Sequence, residues 1–361
     1  PTQRSDQPIL DPHCQHVCTL AQAHPARNPA MSILAGLYLS LIAAVLPTVL
    51  FVAIFYWADR YEREPWWLAA VAFLWGAIPA VLASIVGEVL LGVSLAGDNP
   101  GFEAEVIESA VFAPVVEELA KGVALWGIYR WFRHEFDGVL DGLLYGALIG
   151  FGFAMTENML YFFGAFSEGG LGGLTVIFLL RVVLFGLNHS FYTGLTGIGF
   201  GLARHARRRS TRWLWPLAGL AAAIVAHGLH NLGASIASLN AAGLGISLLL
   251  AAGGLVVLVL TVLLSWQHER SAVRAELAGE VGVLLSEDEF KSLTGRWHQP
   301  LRRRRAQGNH AARMQSLVQL ALRQQRLRRV GEQQEPRLTA EVNQLRSNLL
   351  RAYAEALALR P

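Results

Sequence analysis

Seven apolar runs divide most of the chain, at about 32–57, 67–96, 106–130, 138–164, 173–203, 213–239 and 242–267. An α-helix needs roughly 20 residues to cross a ~30 Å hydrocarbon core, so the pattern predicts seven membrane-spanning helices joined by polar loops. The third run is the least apolar, because Glu117, Glu118 and Lys121 interrupt it. Basic residues alternate between the loops. Arg60 and Arg63 follow the first run, Arg130 and Arg133 the third, and Arg204, Arg207, Arg208, Arg209 and Arg212 the fifth. The loops around Asp98, Ser167 and Asn240 hold neither Lys nor Arg. Under the positive-inside rule the N-terminus is expected outside and the C-terminal tail in the cytoplasm of a multi-pass inner-membrane protein. The expected fold class is all-α: a polytopic helical bundle of about seven transmembrane helices with a helical, basic cytoplasmic tail.

Composition agrees. The 361 residues are 53% hydrophobic and 16% charged, against about 25% charged for soluble domains. Three regions are expected: a disordered N-terminal extension over 1–30, a transmembrane domain over 31–267, and the basic tail over 268–361. Cys14 and Cys18 stand beside His13 and His16 in the Pro-rich extension, without the surrounding pattern that would make a metal site the better reading. From Glu269 onward the tail carries 17 Lys+Arg and 10 Asp+Glu. A helix capped by Ser286 and Glu289 is expected there, and a second over Leu338–Leu359 after Pro336. Attraction to anionic lipid, about 1 kcal/mol per basic residue near the surface, accounts for this charge better than nucleic acid does.

Four of the apolar runs carry groups that a bilayer excludes: Glu117-Glu118-x-x-Lys121, Phe153-x-x-x-Glu157-Asn158, Asn188-His189 and His227-x-x-x-Asn231. A charged side chain at mid-bilayer costs roughly 2.5–3.5 kcal/mol even on the lenient insertion scale. At 1.5 Å per residue the four groups lie at similar depth, and residues four apart share a helix face. Singly, each has an ordinary reading, as an intrahelical ion pair or an interhelical hydrogen bond. Together they point to a functional cavity. Glu88 and Arg181 lie nearer the span ends and are placed outside it, snorkelling or pairing with each other. A carboxylate beside an imidazole can activate water, and a second imidazole with a carboxamide can stabilise an oxyanion. The same carboxylates and imidazoles could instead bind Zn²⁺, with Glu157, His189 and His227 as ligands and another Glu as base, or relay protons or a cation in a transporter.

These motifs resemble the PrsW family of intramembrane proteases, within the superfamily of CAAX prenyl proteases and bacteriocin-processing enzymes. The likeness runs over about 45–267: Asp59-Arg60-Tyr61-Glu62-Arg63-Glu64-Pro65, Glu117-Glu118-x-x-Lys121, Asp141-Gly142 through Gly152-Phe153-x-x-x-Glu157-Asn158, His189 with Thr193-Gly194, and His227-x-x-x-Asn231. It implies an intramembrane endopeptidase with Glu117 as general base, Glu118 as its partner, His189 assisting the water, and His227 and Asn231 at the oxyanion. Glu157 also belongs to this catalytic set, while Lys121, Phe153 and Asn158 support it. The cofactor is either none or Zn²⁺, and the residues favour the metal-free form. The implied substrate is a membrane protein, such as a single-pass anti-sigma factor, entering beside the glycine-rich fourth and fifth spans and unwinding locally, since a helix has its amides satisfied. A sensor or scaffold that kept the fold without activity is the remaining alternative.

Overall fold

The computed structural model describes residues 29–59, 63–95, 101–136, 138–206, 209–295, 308–331 and 336–358. The cysteine-bearing extension and the Arg302–Arg305 run lie outside the described residues. The bundle comprises α1 (Pro29–Ala58), α2 (Trp66–Trp75), α3 (Val81–Leu95), α4 (Phe102–Ile107), α5 (Ala113–Trp131), α6 (Val139–Phe178), α7 (Asn188–His205), α8 (Arg209–Ala237) and α9 (Ala241–Leu277). No named strand occurs among the described residues. π-Helical turns at Gly76–Ala80, Glu108–Phe112 and Leu179–Leu184 interrupt the helical path. The first contains Pro79 and the second lies just ahead of Pro114, residues that cannot donate to the helix ladder. Such turns re-aim side chains and often mark functional sites.

Among the described residues, five apolar helical stretches are long enough to cross a membrane: Ile33–Ala58, Trp66–Leu91, Val139–His205, Thr211–Ala237 and Ala241–Glu280. The third, of 67 residues, is a hairpin. Gly170 takes φ 60°, a conformation open to glycine, and the chain folds back so that Phe178 meets Phe162 at 6.0 Å and Arg181 meets Glu157 at 2.5 Å. Val139–His205 therefore supplies two crossings. Helix α5 is not among these five stretches. Its two glutamates and its lysine keep it off a hydropathy count, and its charged face is turned into the bundle.

The two arms of the hairpin approach at backbone contact. A Cβ on Gly142 would stand 2.1 Å from the Gly197 carbonyl oxygen, and one on Gly150 would stand 2.3 Å from that of His189. Side chains are excluded there because the obstacle is backbone. Gly142, Gly146, Gly150 and Gly197 thus pack α6 on α7, while Gly152 meets α2 and Gly199 meets α8, and the α6–α7 contact fixes the depth of His189 against Glu157. Gly150→Val is expected to destabilise the bundle by about 1–3 kcal/mol, the cost of overpacking a filled site, read as a lower unfolding midpoint in detergent.

Asp59 and Glu64, from the polar loop after α1, tie that loop to the hairpin. The Glu64 amide donates to Asp59 Oδ2 at 2.8 Å, and the Tyr145 hydroxyl donates to the Glu64 carboxylate. Both acids are buried. Beyond the membrane, α9 continues without a break into the tail. There Val273 and Leu277 join Leu293 of α10 (Glu287–Thr294), Leu317 and Leu320 of α11 (Gly308–Val330), and Val342 and Leu349 of α12 (Pro336–Ala358) in one core. The capping box at Ser286 forms as expected, and Pro336 opens the last helix as expected. The third tail helix, α11, was not anticipated; its apolar positions are diluted by arginine and glutamine. Burial raises the Glu289 carboxyl, but hydrogen bonds from Ser286 and the Arg313 guanidinium outweigh that and hold it below the usual range.

Candidate active site

Helix α5 brings Glu117, Glu118 and Lys121 onto one side. Lys121 reaches back one turn, its Nζ standing 2.8 Å from Glu117 Oε2 and 2.9 Å from Glu118 Oε1. The lysine and Glu118 are fully buried, and Glu117 is 6% exposed. Charges this deep persist only when paired and hydrogen-bonded. One ammonium faces two carboxylates, so further donors are needed, and the neighbouring helices supply them. Thr193 Oγ1 on α7 donates to Glu118 Oε2 at 3.1 Å. On α8, His227 Nδ1 lies 3.2 Å from Glu118 Oε1 and its Nε2 lies 4.0 Å from Glu117 Oε2. The Phe153 ring of α6 lies 3.6 Å beneath the ammonium, a cation–π contact strengthened by desolvation.

His189, at the start of α7, bridges this group to the hairpin. Its Nε2 is 2.8 Å from Glu157 Oε2 and its Nδ1 is 3.3 Å from Lys121 Nζ. These partners select the tautomer with the proton on Nε2, leaving the Nδ1 lone pair to accept from the ammonium. The same reasoning places the His227 proton on Nδ1, toward Glu118, and leaves Nε2 as a lone pair facing Glu117. The His227 ring is held by stacking on Tyr192 at 4.8 Å and 17°, and His189 meets it edge-on at 5.1 Å.

The structure thus gathers Glu117, Glu118, Glu157, His189, His227, Lys121 and Phe153. Asn158 is buried one step outside the cluster, accepting from Arg181 Nε at 2.6 Å. Asn231 goes elsewhere: its Nδ2 donates to the Ser109 carbonyl at 2.8 Å, in the π-helical turn before α5, so it ties α8 to that turn. The placement of Arg181 outside the site is corrected. It pairs with Glu157 and Asn158, not with Glu88, because the reversal at Gly170 carries it back opposite them. Tyr192 was missed as a site residue, and Thr193 was named in the likeness without a role. Their neighbourhood to His189 was the available signal, since Thr193 lies one turn on and shares its helix face.

One ligand atom each from Glu117, Glu118, His189 and His227 lies within 4.8 Å of the other three. Two carboxylates and two imidazoles are suitable zinc donors. The Lys121 ammonium, however, contacts the first three of them at 2.8, 2.9 and 3.3 Å. A divalent ion at ligand distances near ~2.0–2.1 Å cannot share that point with it. The alternative set of Glu157, His189 and His227 fares no better, because Glu157 Oε2 is committed to Arg181 and His189. As arranged, these residues fit an ammonium and do not fit a metal.

Residues 64–266, more than half of the chain, match the family described as PrsW family intramembrane metalloprotease. The protein named Protease PrsW in Geobacillus kaustophilus (strain HTA426) is 29% identical over 177 residues, covering 49% of this chain and 72% of that protein. That of Bacillus subtilis (strain 168) is 25% identical over 173 residues, covering 48% and 72%. That of Clostridioides difficile (strain 630) is 33% identical over 105 residues, covering 29% and 42%. No solved structure matches. The matched segment includes every residue of the buried cluster, and the chain belongs to the PrsW family of intramembrane proteases.

Proposed function

We propose that the chain is an intramembrane endopeptidase of the bacterial cytoplasmic membrane that hydrolyses membrane-protein substrates with a glutamate-activated water and no metal. The observation that carries this reading is the convergence of Glu117, Glu118, His189 and His227, from three helices, within 4.8 Å inside the bundle. Glu118 has its oxygens occupied by Lys121, Thr193 and His227, so it orients the site. Glu117 Oε2 and His227 Nε2 face one another across 4.0 Å, a separation that one water spans with a hydrogen bond to each. Glu117 takes a proton from this water as its oxygen bonds to the scissile carbonyl carbon. The resulting oxyanion meets the positive charge of Lys121, and the proton then passes to the amide nitrogen as the C–N bond breaks. Lys121 takes the oxyanion role expected of His227 with Asn231, since the His227 proton is held on Nδ1 by Glu118 and Asn231 is tied to Ser109; the His227 Nε2 lone pair instead accepts from the water and holds it.

The accessible side of the site is the Arg181 side. The Arg181, Glu157 and His189 side chains are 24%, 21% and 12% exposed, whereas Lys121 and Glu118 are sealed. The substrate enters past Arg181, on the exposed side of the cluster. The tail turns most of its apolar side chains into its own core, so its attraction to anionic lipid is read as mainly one of charge.

The test is cleavage of a quenched transmembrane peptide by purified protein in detergent. His227→Ala is expected to lower the rate by about 10²-fold or more, within the range for a positioned acid–base group. A strong zinc chelator is expected to leave the rate unchanged. Loss of activity on chelation, restored by zinc, sinks the metal-free mechanism; indifference to His227→Ala sinks the site.

A further inference from the structure

A cavity of about 940 Å³ lies at the basic end of the bundle, between the membrane helices and the tail. Five arginines line it: Arg133, Arg204, Arg212, Arg326 and Arg329. Three carboxylates line it as well, and two of them serve the backbone. Asp59 accepts from the Glu64 amide, and Asp141 accepts from the Gly138 amide at 2.7 Å. Arg204 is locked in place, its Nε and Nη2 donating to the carbonyls of Phe136 and Arg133 at 2.5 and 2.6 Å while it stacks on Tyr129 at 4.6 Å. Arg133 and Arg212 have exposed side chains and make no ion pair among the described residues. The remaining two arginines come from α11 in the tail. One wall is apolar: Leu264 of α9, 63% exposed, stands on the lipid-facing surface beside the mouth.

We propose that this cavity binds a phosphate-bearing anion and thereby fastens the tail to the bundle. Guanidinium groups match phosphate oxygens with paired N–H donors. Basic pockets among membrane helices on the cytoplasmic side suit headgroups, and the positive-inside pattern assigns this end to that side. A phosphodiester at the end of a hydrocarbon chain matches arginines next to Leu264, and a small soluble phosphate matches the arginines alone. The site is separate from the Glu117 cluster and does not depend on the peptidase reading.

The test uses the full chain in nanodiscs of phosphatidylcholine, with or without phosphatidylglycerol, and compares two variants of equal charge. Arg133→Gln/Arg212→Gln alters the cavity. Arg337→Gln/Arg351→Gln removes two exposed arginines of α12. Native mass spectrometry is expected to show phosphatidylglycerol retained by wild type and by the α12 variant, and retained about thirtyfold less by the cavity variant, which loses two basic residues at about 1 kcal/mol each. If inorganic phosphate added to phosphatidylcholine discs raises the unfolding temperature of wild type but not of the cavity variant, the ligand is the soluble form. Arg133→Lys/Arg212→Lys, which keeps the charge, is expected to recover part of the retention and checks that loss is not misfolding. Equal retention in the two glutamine variants, with no phosphate response, overturns the proposal.

Discussion

Glu117→Gln is expected to lower the cleavage rate by about 10²–10⁴-fold, the contribution of a positioned general base. The substitution keeps shape and one acceptor oxygen while removing the group that receives the proton. It leaves Glu118 paired with Lys121 at 2.9 Å, so the fold is expected to persist and the unfolding midpoint to stay near that of wild type. Glu118→Gln probes a different role. Glu118 holds His227, Thr193 and Lys121 in place, so its loss should disturb stability and rate together. Cleavage by Glu117→Gln at the wild-type rate is the result that removes Glu117 as the base.

Lys121→Met carries the largest expected effect on stability. Without the ammonium, Glu117 and Glu118 remain buried with no cation between them, and removing one partner of a buried ion pair costs about 3–5 kcal/mol. That is a large share of the 5–15 kcal/mol by which a typical domain is stable, so accumulation in the membrane should fall steeply. Adding Glu118→Gln to Lys121→Met is expected to recover part of the loss, because one carboxylate then needs no counter-charge. A double-mutant cycle built from these variants measures the coupling directly. Independent, additive effects would show that the ion pair read from the 2.8 and 2.9 Å contacts does not hold the site.

Most of the bundle was legible because lipid imposes a simple rule. A chain crossing hydrocarbon must be apolar for about 20 residues, so the runs stand out by composition, and side chains that break the rule stand out against them. Glu117, Glu118, His189 and His227 were visible for that reason. Arg181 was not. Its partner lies 24 residues away, and only the reversal at Gly170 with the π-helical turn at Leu179–Leu184 brings the two together. Asn231 looked equivalent to His227 from its place one turn along α8, yet one turn is enough to deliver it to the Ser109 carbonyl of a neighbouring element. The glycines of α6 and α7 were read correctly as close-packing residues where they face backbone, as Gly142 and Gly150 do. In the tail, α11 went unnoticed because arginines and glutamines dominate its surface.

Helix α9 runs unbroken from Ala241 to Leu277, about 55 Å at 1.5 Å per residue. Its upper half packs on Phe191, whose neighbour Tyr192 lies flat against the His227 ring, and its lower half carries the core of the tail. Such a rod behaves as a lever. Tilting it by about 10° about one end swings the other by roughly 10 Å over that length. A force applied to the tail at one end therefore reaches the His227 imidazole through Phe191 and Tyr192.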